Sequence, residues 1–153
     1  MSLALAGIDT LFLVSATEHP DRVGMHAGFV DAAAQAGVRH IVDTSFYAAA
    51  PQATFTHARD HWHTEQHIRS GGIGFTFLRD NLYADFVPLL ADEHGVIRGP
   101  AGSGKVSVVA LDDVADVASI VLREVLSGSS VHNGRTTGTQ PGRDRGGSER
   151  GGR

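Results

Sequence analysis

The chain lacks cysteine, an excess of basic residues and any long apolar run, and each absence excludes a class of protein. Without cysteine it forms neither a disulfide nor a thiolate metal site. A formal net charge of −4 provides no general basis for binding nucleic acid. Its longest apolar runs, such as Thr10–Val14, are far too short to cross a bilayer, and Met1–Gly7 has no basic residue typical of a signal peptide. We therefore expect a cytoplasmic protein with no nucleic-acid partner and no membrane segment.

Short apolar runs alternate with segments of helical periodicity over the first half of the 153 residues. The runs predict three buried strands, at Thr10–Val14, His40–Asp43 and Ile73–Leu78. The segments between them predict helices over about His19–Ala36, with Gly37 as a left-handed cap, and about Thr54–Ser70. Strands joined by short helical crossovers pair in parallel and in sequential order. The sequence therefore predicts an α/β fold with a parallel sheet.

The second half is less regular. Val106–Leu111 predicts a further strand, and Asp112 or Asp113 is predicted to cap a helix whose core face is at Val114, Val117, Val121 and Val125. Gly138–Arg153 contains no aliphatic or aromatic residue, so burial cannot offset the entropy cost of ordering it. We therefore predict one domain over 1–137 and a disordered tail over 138–153.

Polar residues follow each of the three predicted strands. They are Ser15-Ala16-Thr17, Thr44–Tyr47 and Arg79-Asp80-Asn81. Ligands bind beyond the carboxyl ends of the strands in an open parallel sheet. Surface loops are also polar for solvation alone, so composition leaves both interpretations open.

Three familiar motifs are incomplete in this sequence. The run 99–105 matches G-x-x-x-x-G-K, but Val106 stands where a phosphate loop needs Ser or Thr. Two histidine pairs have the four-residue spacing of metal ligands, but the pairs point in different directions around one helix and no H-E-x-x-H is present; they are His57/His61 and His63/His67. Ser45 lacks the flanking glycines of a nucleophile elbow. We therefore predict no nucleotide-hydrolysing, metal or serine-hydrolase site.

Four stretches share their order and spacing with one protein family. They are 4–15 (ALAGIDTLFLVS), 36–45 (AGVRHIVDTS), His61-x-x-Thr64-Glu65 and 72–81 (GIGFTFLRDN). Together with 109–118 they resemble the NmrA-like, atypical short-chain dehydrogenase/reductase family, and within it the NAD(P)H:quinone oxidoreductase and triphenylmethane reductase branch. The resemblance implies a Rossmann-type, doubly wound domain that binds NADP or NAD and transfers hydride to a small acceptor such as a quinone.

The resemblance also implies roles for individual residues. The residues near the cofactor would be Ser15, Ala16, Thr17, Thr44, Ser45 and His61, with Thr44 and Ser45 facing the nicotinamide. His57 and His61 fall where typical members place the Tyr and Lys of Y-x-x-x-K, so the expected catalytic side chains are Ser45, His57 and His61. The acceptor pocket would be lined by Tyr47, Asp80, Asn81 and Tyr83.

The sequence departs from this family at both ends. The family's first strands and helices, with the glycine-rich G-x-x-G-x-x-G turn whose amides bind pyrophosphate, have no counterpart here. Near Gly134, where the family continues into a further strand, this chain turns to Gly, Arg, Pro and Ser. We therefore expect weak cofactor binding, and self-association through the unpaired edge of Thr10–Val14. The expected function is an impaired NAD(P)H-dependent reductase; the alternatives are a dinucleotide-sensing regulatory protein and a non-functional gene fragment.

Overall fold

The computed structural model describes residues 2–99, 102–128 and 135–138, the last four as backbone. Its helices are α1 (Arg22–Ala36), α2 (Thr56–Ser70) and α3 (Leu111–Leu126). Its strands are β1 (Thr10–Leu13), β2 (His40–Phe46), β3 (Gly74–Asp80), β4 (Leu82–Tyr83), β5 (Val108–Val109) and β6 (Arg135–Gly138). Short 3₁₀ helices cover Ser2–Leu5 and Ala84–Leu90.

The main sheet is parallel, with the strand order β1-β2-β3-β6. The predicted sequential order of the first three strands is confirmed. Strand β6 was not predicted, and Gly138, which was assigned to the tail, is its last residue. The rest of the predicted tail lies outside the described residues. In the described part of the chain β1 is an edge strand, and self-association through it stays a prediction.

Helices cover both faces of this sheet. On one face, α1 and α2 pack on the strands through a core that includes Val30, Ile41, Ile68 and Phe77. On the other face, α3 packs through Ala118 against Val42 and Leu78. Since residues along a strand alternate between faces, β2 and β3 each contribute apolar side chains to both layers. The predicted α/β class and the doubly wound arrangement are confirmed.

Two element boundaries near the site differ from the prediction. Strand β2 continues past Asp43 to Phe46, because residues 44–46 stay in parallel register with residues 78–80 of β3. Helix α1 begins at Arg22 rather than near His19, because residues 19–22 form a turn in which the Arg22 N–H donates to the His19 carbonyl at 3.1 Å. It ends as predicted, with Gly37 at a φ of 84°.

The region after β3 differs more from the prediction. Of the predicted strand Val106–Leu111, only Val108–Val109 is a strand, and it pairs with β4 in a separate two-stranded sheet. Val117 does not face the core: the side of α3 that meets the sheet is one residue further on, at Ala118, with Val121 and Val125 packed beside it. None of the helices in the described residues has the length and hydropathy needed to cross a membrane.

Candidate functional site

The carboxyl end of β1 is bonded to the adjacent strand β2. The Ser15 N–H donates to Oγ1 of Thr44 at 3.2 Å, and the Ser15 hydroxyl donates to the Thr44 carbonyl at 2.9 Å. The Thr44 hydroxyl in turn donates to the Leu13 carbonyl at 3.3 Å. Ser15 and Thr44, two of the predicted cofactor-binding residues, therefore form one unit at the carboxyl edge of the sheet.

The next residue, Ala16, has both of its peptide groups bonded to side chains of α1. Its N–H donates to Nε2 of His26 at 3.0 Å, and its carbonyl accepts from Nε of Arg22 at 2.8 Å. Arg22 and His26 are one helical turn apart and both are buried. The sequence analysis missed both residues. The available signal was their place in the buried row that continues to Val30, where a polar residue must find a partner.

The ring of His61 is hydrogen-bonded on both nitrogens, and this determines its protonation. Nε2 lies 3.3 Å from Nη2 of Arg22, and because a guanidinium only donates, this nitrogen accepts. Nδ1 therefore carries the proton and faces Oγ of Ser15 at 3.5 Å. Burial, and next the positive charge of Arg22, lower the pKa of His61 to about 3. His61 is therefore a neutral ring near neutral pH, and it cannot act there as a cationic acid.

The nitrogen that carries the proton in the His26 ring is assigned in the same way. Its Nε2 accepts from the Ala16 N–H, so its Nδ1 donates to Oγ1 of Thr64 at 2.8 Å, and the Thr64 hydroxyl donates to the Asp60 carbonyl at 3.0 Å. Burial, and then Arg22, lower the pKa of His26. Two neutral imidazoles thus connect the Ser15-Ala16 segment to α1 and α2.

We expect His61→Gln to reduce stability at neutral pH and to reduce it less in acid. In the unfolded chain His61 takes up a proton near pH 6.5, whereas the folded protein keeps it neutral down to about pH 3. A lowered histidine pKa contributes stability that is present above the unfolded value and is lost as the pH falls. Below about pH 6, the wild type should therefore lose about 1.4 kcal/mol per pH unit relative to the variant. Urea unfolding of both proteins across this range measures the difference.

The matched control is His94→Gln, because the side chain of His94 is 72% exposed. Its unfolding free energy should follow that of the wild type at every pH. A gap between wild type and His61→Gln that stays constant from about pH 7 to about pH 5 would contradict a neutral, buried His61.

Ser45, a predicted catalytic residue, is fully buried on the face that α2 covers. Its hydroxyl donates to Oε1 of Glu65 at 2.6 Å. Glu65 is itself fully buried and accepts from Nε and Nη2 of Arg79 at 2.8 and 2.6 Å. The proton of the Ser45 hydroxyl is therefore already bonded to a carboxylate within the protein. Glu65 was noticed in the sequence only as part of a family motif, and its role as the partner of β2 and β3 comes from the fold.

Asp43 lies two residues before Ser45 on the same face of β2 and is fully buried. Neither of its carboxyl oxygens has a hydrogen-bond partner among the described residues. Burial, and next the negative charge of Glu65, raise the pKa of Asp43 well above its usual value. The surroundings of Asp43 thus shift its equilibrium toward the protonated form, a property that a sequence pattern does not reveal.

The predicted acceptor-lining residues lie at the end of β3. Since Arg79 points to Glu65 and α2, Asp80 points to the opposite face of the sheet from Ser45. The Tyr83 hydroxyl donates to Oδ2 of Asp80 at 2.6 Å, and Oδ1 of Asn81 accepts from the Leu82 N–H at 2.8 Å. Burial raises the pKa of Asp80 to about 6 and also raises the pKa of Tyr83. Tyr47 donates its N–H to the Asp80 carbonyl at 2.7 Å.

His57 lies apart from His61, at the start of α2. Its Nε2 is 2.8 Å from Oε1 of Glu18, and its ring stacks on Phe55 with the centroids 5.1 Å apart. A cavity of about 450 Å³ is lined here by residues of the β1–α1 loop, of α1 and of α2, including Arg22 and Asp60. Thr17, also predicted to be near the cofactor, is exposed.

Apart from His57 and Thr17, the predicted residues thus fall into three groups. The first, formed by Ser15, Ala16, Thr44 and His61, is connected by hydrogen bonds through Arg22. Ser45 belongs to the buried Glu65 cluster. Asp80, Asn81 and Tyr83 are bonded among themselves and to neighbouring backbone. Within the ranges that the structure describes, no group of three or more His, Asp or Glu side chains is arranged to bind a metal ion.

The chain is similar to two known reductases. Quinone oxidoreductase 2 of Escherichia coli strain K12 is 34% identical over 127 residues, which are 81% of this chain and 44% of that protein. The NAD(P)H azoreductase of Xenophilus azovorans is 33% identical over 118 residues, which are 75% of this chain and 41% of that protein. The chain therefore spans less than half the length of these relatives.

A solved structure agrees with these relatives. The triphenylmethane reductase of Citrobacter sp., complexed with NADP(H), matches with a TM-score of 0.74 and 34% identity over 88% of this chain and 47% of that chain. No family model matches the chain. The similarity predicted from the four sequence stretches is confirmed.

Proposed function

We propose that this chain, which belongs to the NmrA-like, atypical short-chain dehydrogenase/reductase family, functions in the NAD(P)H-dependent reduction of a quinone or a similar small acceptor. The observation that carries the proposal is the hydrogen-bonded group of Ser15, Thr44 and His61 at the carboxyl ends of adjacent parallel strands. This edge is where open α/β sheets bind their ligands. The quinone and azo-dye reductases among the similar proteins support this class of acceptor.

The described residues fit one end of a dinucleotide better than the other. Ser15 and Thr44, small hydroxyl side chains at the sheet edge, are the groups that we propose to lie beside the nicotinamide ring. A pyrophosphate needs free backbone N–H groups at a helix N-terminus. In the described part of the chain, α1 is preceded by Glu18 and Asp21, and α3 has Asp112 and Asp113 in its first turn. We therefore propose contact with the nicotinamide end, whereas the carboxylates at the N-termini of α1 and α3 disfavour a pyrophosphate at either of these two helices.

The roles we propose for the side chains follow from their protonation. When bound, NAD(P)H supplies hydride to the acceptor. His61, as a neutral ring, orients Ser15 and does not supply the proton that reduction also requires. Asp80 carries a proton in part of the molecules near pH 6, and the Tyr83 hydroxyl donates a hydrogen bond to it. We therefore propose Asp80 and Tyr83 as the proton-bearing groups.

Steady oxidation of NADPH by 1,4-naphthoquinone, at cofactor concentrations up to several millimolar, tests this function. We expect slow turnover that Thr44→Val reduces about tenfold, because the variant loses the hydroxyl that bonds Ser15 and Leu13. Gln66→Ala, at an exposed position of α2, is the control and should leave turnover unchanged. Folded protein that gives no turnover at any cofactor concentration would contradict the reductase proposal.

A second candidate function is dinucleotide sensing without turnover. It is favoured by the state of two predicted catalytic side chains: the Ser45 proton is bonded to Glu65, and His61 is a neutral ring between Arg22 and Ser15. The same assay separates the two candidates, because a sensor would bind reduced cofactor and leave naphthoquinone unreduced.

A further inference from the structure

Two side chains from the start of α1 hold the backbone of Ala16, just beyond the carboxyl end of β1. Nε of Arg22 donates to the Ala16 carbonyl at 2.8 Å, and Nε2 of His26 accepts from the Ala16 N–H at 3.0 Å. The N–H of the preceding residue, Ser15, donates to Oγ1 of Thr44 at 3.2 Å. The backbone at Ser15 and Ala16 is therefore bonded both to β2 and to α1. We call Arg22 and His26 the Ala16 clamp.

The Ala16 clamp is itself bonded to α2. Nη2 of Arg22 lies 3.3 Å from Nε2 of His61, and Nδ1 of His26 donates to Oγ1 of Thr64 at 2.8 Å. Both side chains of the clamp are buried. Neither can rotate away from Ala16 without breaking a second hydrogen bond, and the low dielectric of the interior makes each of these bonds costly to lose. The clamp therefore holds Ala16 in one orientation relative to both helices.

Packing alone gives no reason for polar residues at these two positions. Arg22 and His26 belong to the buried row of α1 that continues with Val30 and Ala33, where apolar side chains fill the core. Burying a polar side chain costs free energy unless it is hydrogen-bonded, whereas an apolar side chain has no such cost. What the polar pair adds is a set of directional bonds that end on one residue of the loop, Ala16.

The residue that follows the clamped backbone, Thr17, is exposed. Among the described residues neither its N–H nor its hydroxyl has a hydrogen-bond partner, so both can bind a ligand. Thr17 lies at the edge where open parallel sheets bind their ligands. We propose that Arg22 and His26 are positioning residues, which hold Ser15 and Thr17 in the orientation that contacts the nicotinamide end of the cofactor. This inference rests on the proposed function, and it gives neither residue a contact with the reacting atoms.

His26→Leu tests the clamp without cofactor. Burial, and then Arg22, lower the pKa of His26, so leucine removes its hydrogen bonds at neutral pH without removing a charge. We expect the Ala16 amide to exchange its hydrogen about tenfold faster in this variant, measured by NMR against the Ser15 amide, which Thr44 and not His26 protects. His26→Gln offers a carbonyl oxygen to the Ala16 N–H and should restore the wild-type ratio.

The effect on the cofactor is measured with reduced nicotinamide mononucleotide, titrated while the Thr17 amide signal is followed by NMR. His26→Leu should raise the dissociation constant about tenfold, and His26→Gln should keep it within about twofold of the wild type. Arg22→Lys keeps the charge but has one nitrogen for two acceptors, so it should weaken binding in the same direction. The matched control is Val30→Ala, one turn further along α1, which opens a cavity in the core and should leave binding unchanged.

Three results would each overturn the positioning role of the clamp. They are a wild-type exchange ratio for Ala16 in His26→Leu, equal binding of the mononucleotide by His26→Leu and the wild type, and an equal loss of binding in Val30→Ala. Wild-type protein that does not bind the mononucleotide would overturn the proposed function and this inference with it. The wild type therefore tests the function, and the comparison among variants tests the positioning role.

Discussion

Replacing Glu65 by alanine is expected to lower the free energy of unfolding by about 3 kcal/mol. Glu65 is fully buried and accepts hydrogen bonds from Ser45 and from two nitrogens of Arg79. Without the carboxylate, the Ser45 hydroxyl loses its partner in the interior and Arg79 loses its counter-charge. The Arg79 side chain is 26% exposed and recovers part of its hydration, which places the loss at the low end for a broken buried pair. Urea unfolding at neutral pH measures it.

Two further variants serve as comparisons for Glu65→Ala. Gln66→Ala, at the next and exposed position of α2, should change stability by less than about 0.5 kcal/mol. Glu65→Gln keeps the shape and one acceptor oxygen, so its loss should fall between those of the other two variants. A Glu65→Ala protein as stable as Gln66→Ala would mean that the Ser45–Glu65–Arg79 cluster contributes nothing to the connection between α2 and the sheet.

The second large effect concerns the cofactor. We expect NADPH to bind with a dissociation constant of roughly a millimolar, about a thousandfold weaker than a micromolar site, because a few charge-assisted hydrogen bonds to the pyrophosphate are missing. Two helix N-termini of the described chain have carboxylates where a phosphate site has free N–H groups. Calorimetry on monodisperse protein gives the constant.

Reduced nicotinamide mononucleotide is the matched ligand for this measurement, because it keeps the nicotinamide and lacks the pyrophosphate bridge. If the chain engages only the nicotinamide end, the two ligands should bind within a few fold of each other, less than about 1 kcal/mol apart. A micromolar constant for NADPH, or a preference of about a hundredfold for NADPH over the mononucleotide, would show that the described residues bind pyrophosphate after all.

Much of the fold was predictable because it depends on local patterns. Apolar runs and helical spacing located three parallel strands and the two helices between them, and the preference for right-handed crossovers gave their order. Gly37 marked the end of α1 because a left-handed cap favours glycine. Two of the errors lie where pairing overrides local pattern: β2 reaches Phe46 because β3 continues beside it, and Val108–Val109 is a strand only as far as it pairs with β4.

The site was predictable in part, through similarity to a family. That similarity led to Ser15, Thr44 and His61, which the fold brings together although Ser15 and His61 are 46 residues apart in the chain. The similarity could not assign the protonation of His61, because that depends on which group each of its two ring nitrogens meets in the fold. A neutral His61 follows from Arg22, a residue that no motif had marked.

The sequence by itself determined the α/β class, the order of the first three strands and the resemblance to a family of reductases, because hydrophobic period and motif spacing are properties of the chain alone. Tertiary structure decided which polar residues are buried and what each one bonds. Arg22, His26, Asp43 and Glu65 are of types that are usually exposed or only partly buried, and a local pattern gives no reason to place them inside. Their burial comes from helices packing over the strand ends, where a buried charge or ring nitrogen takes its protonation from whichever group, distant in sequence, the fold has placed beside it.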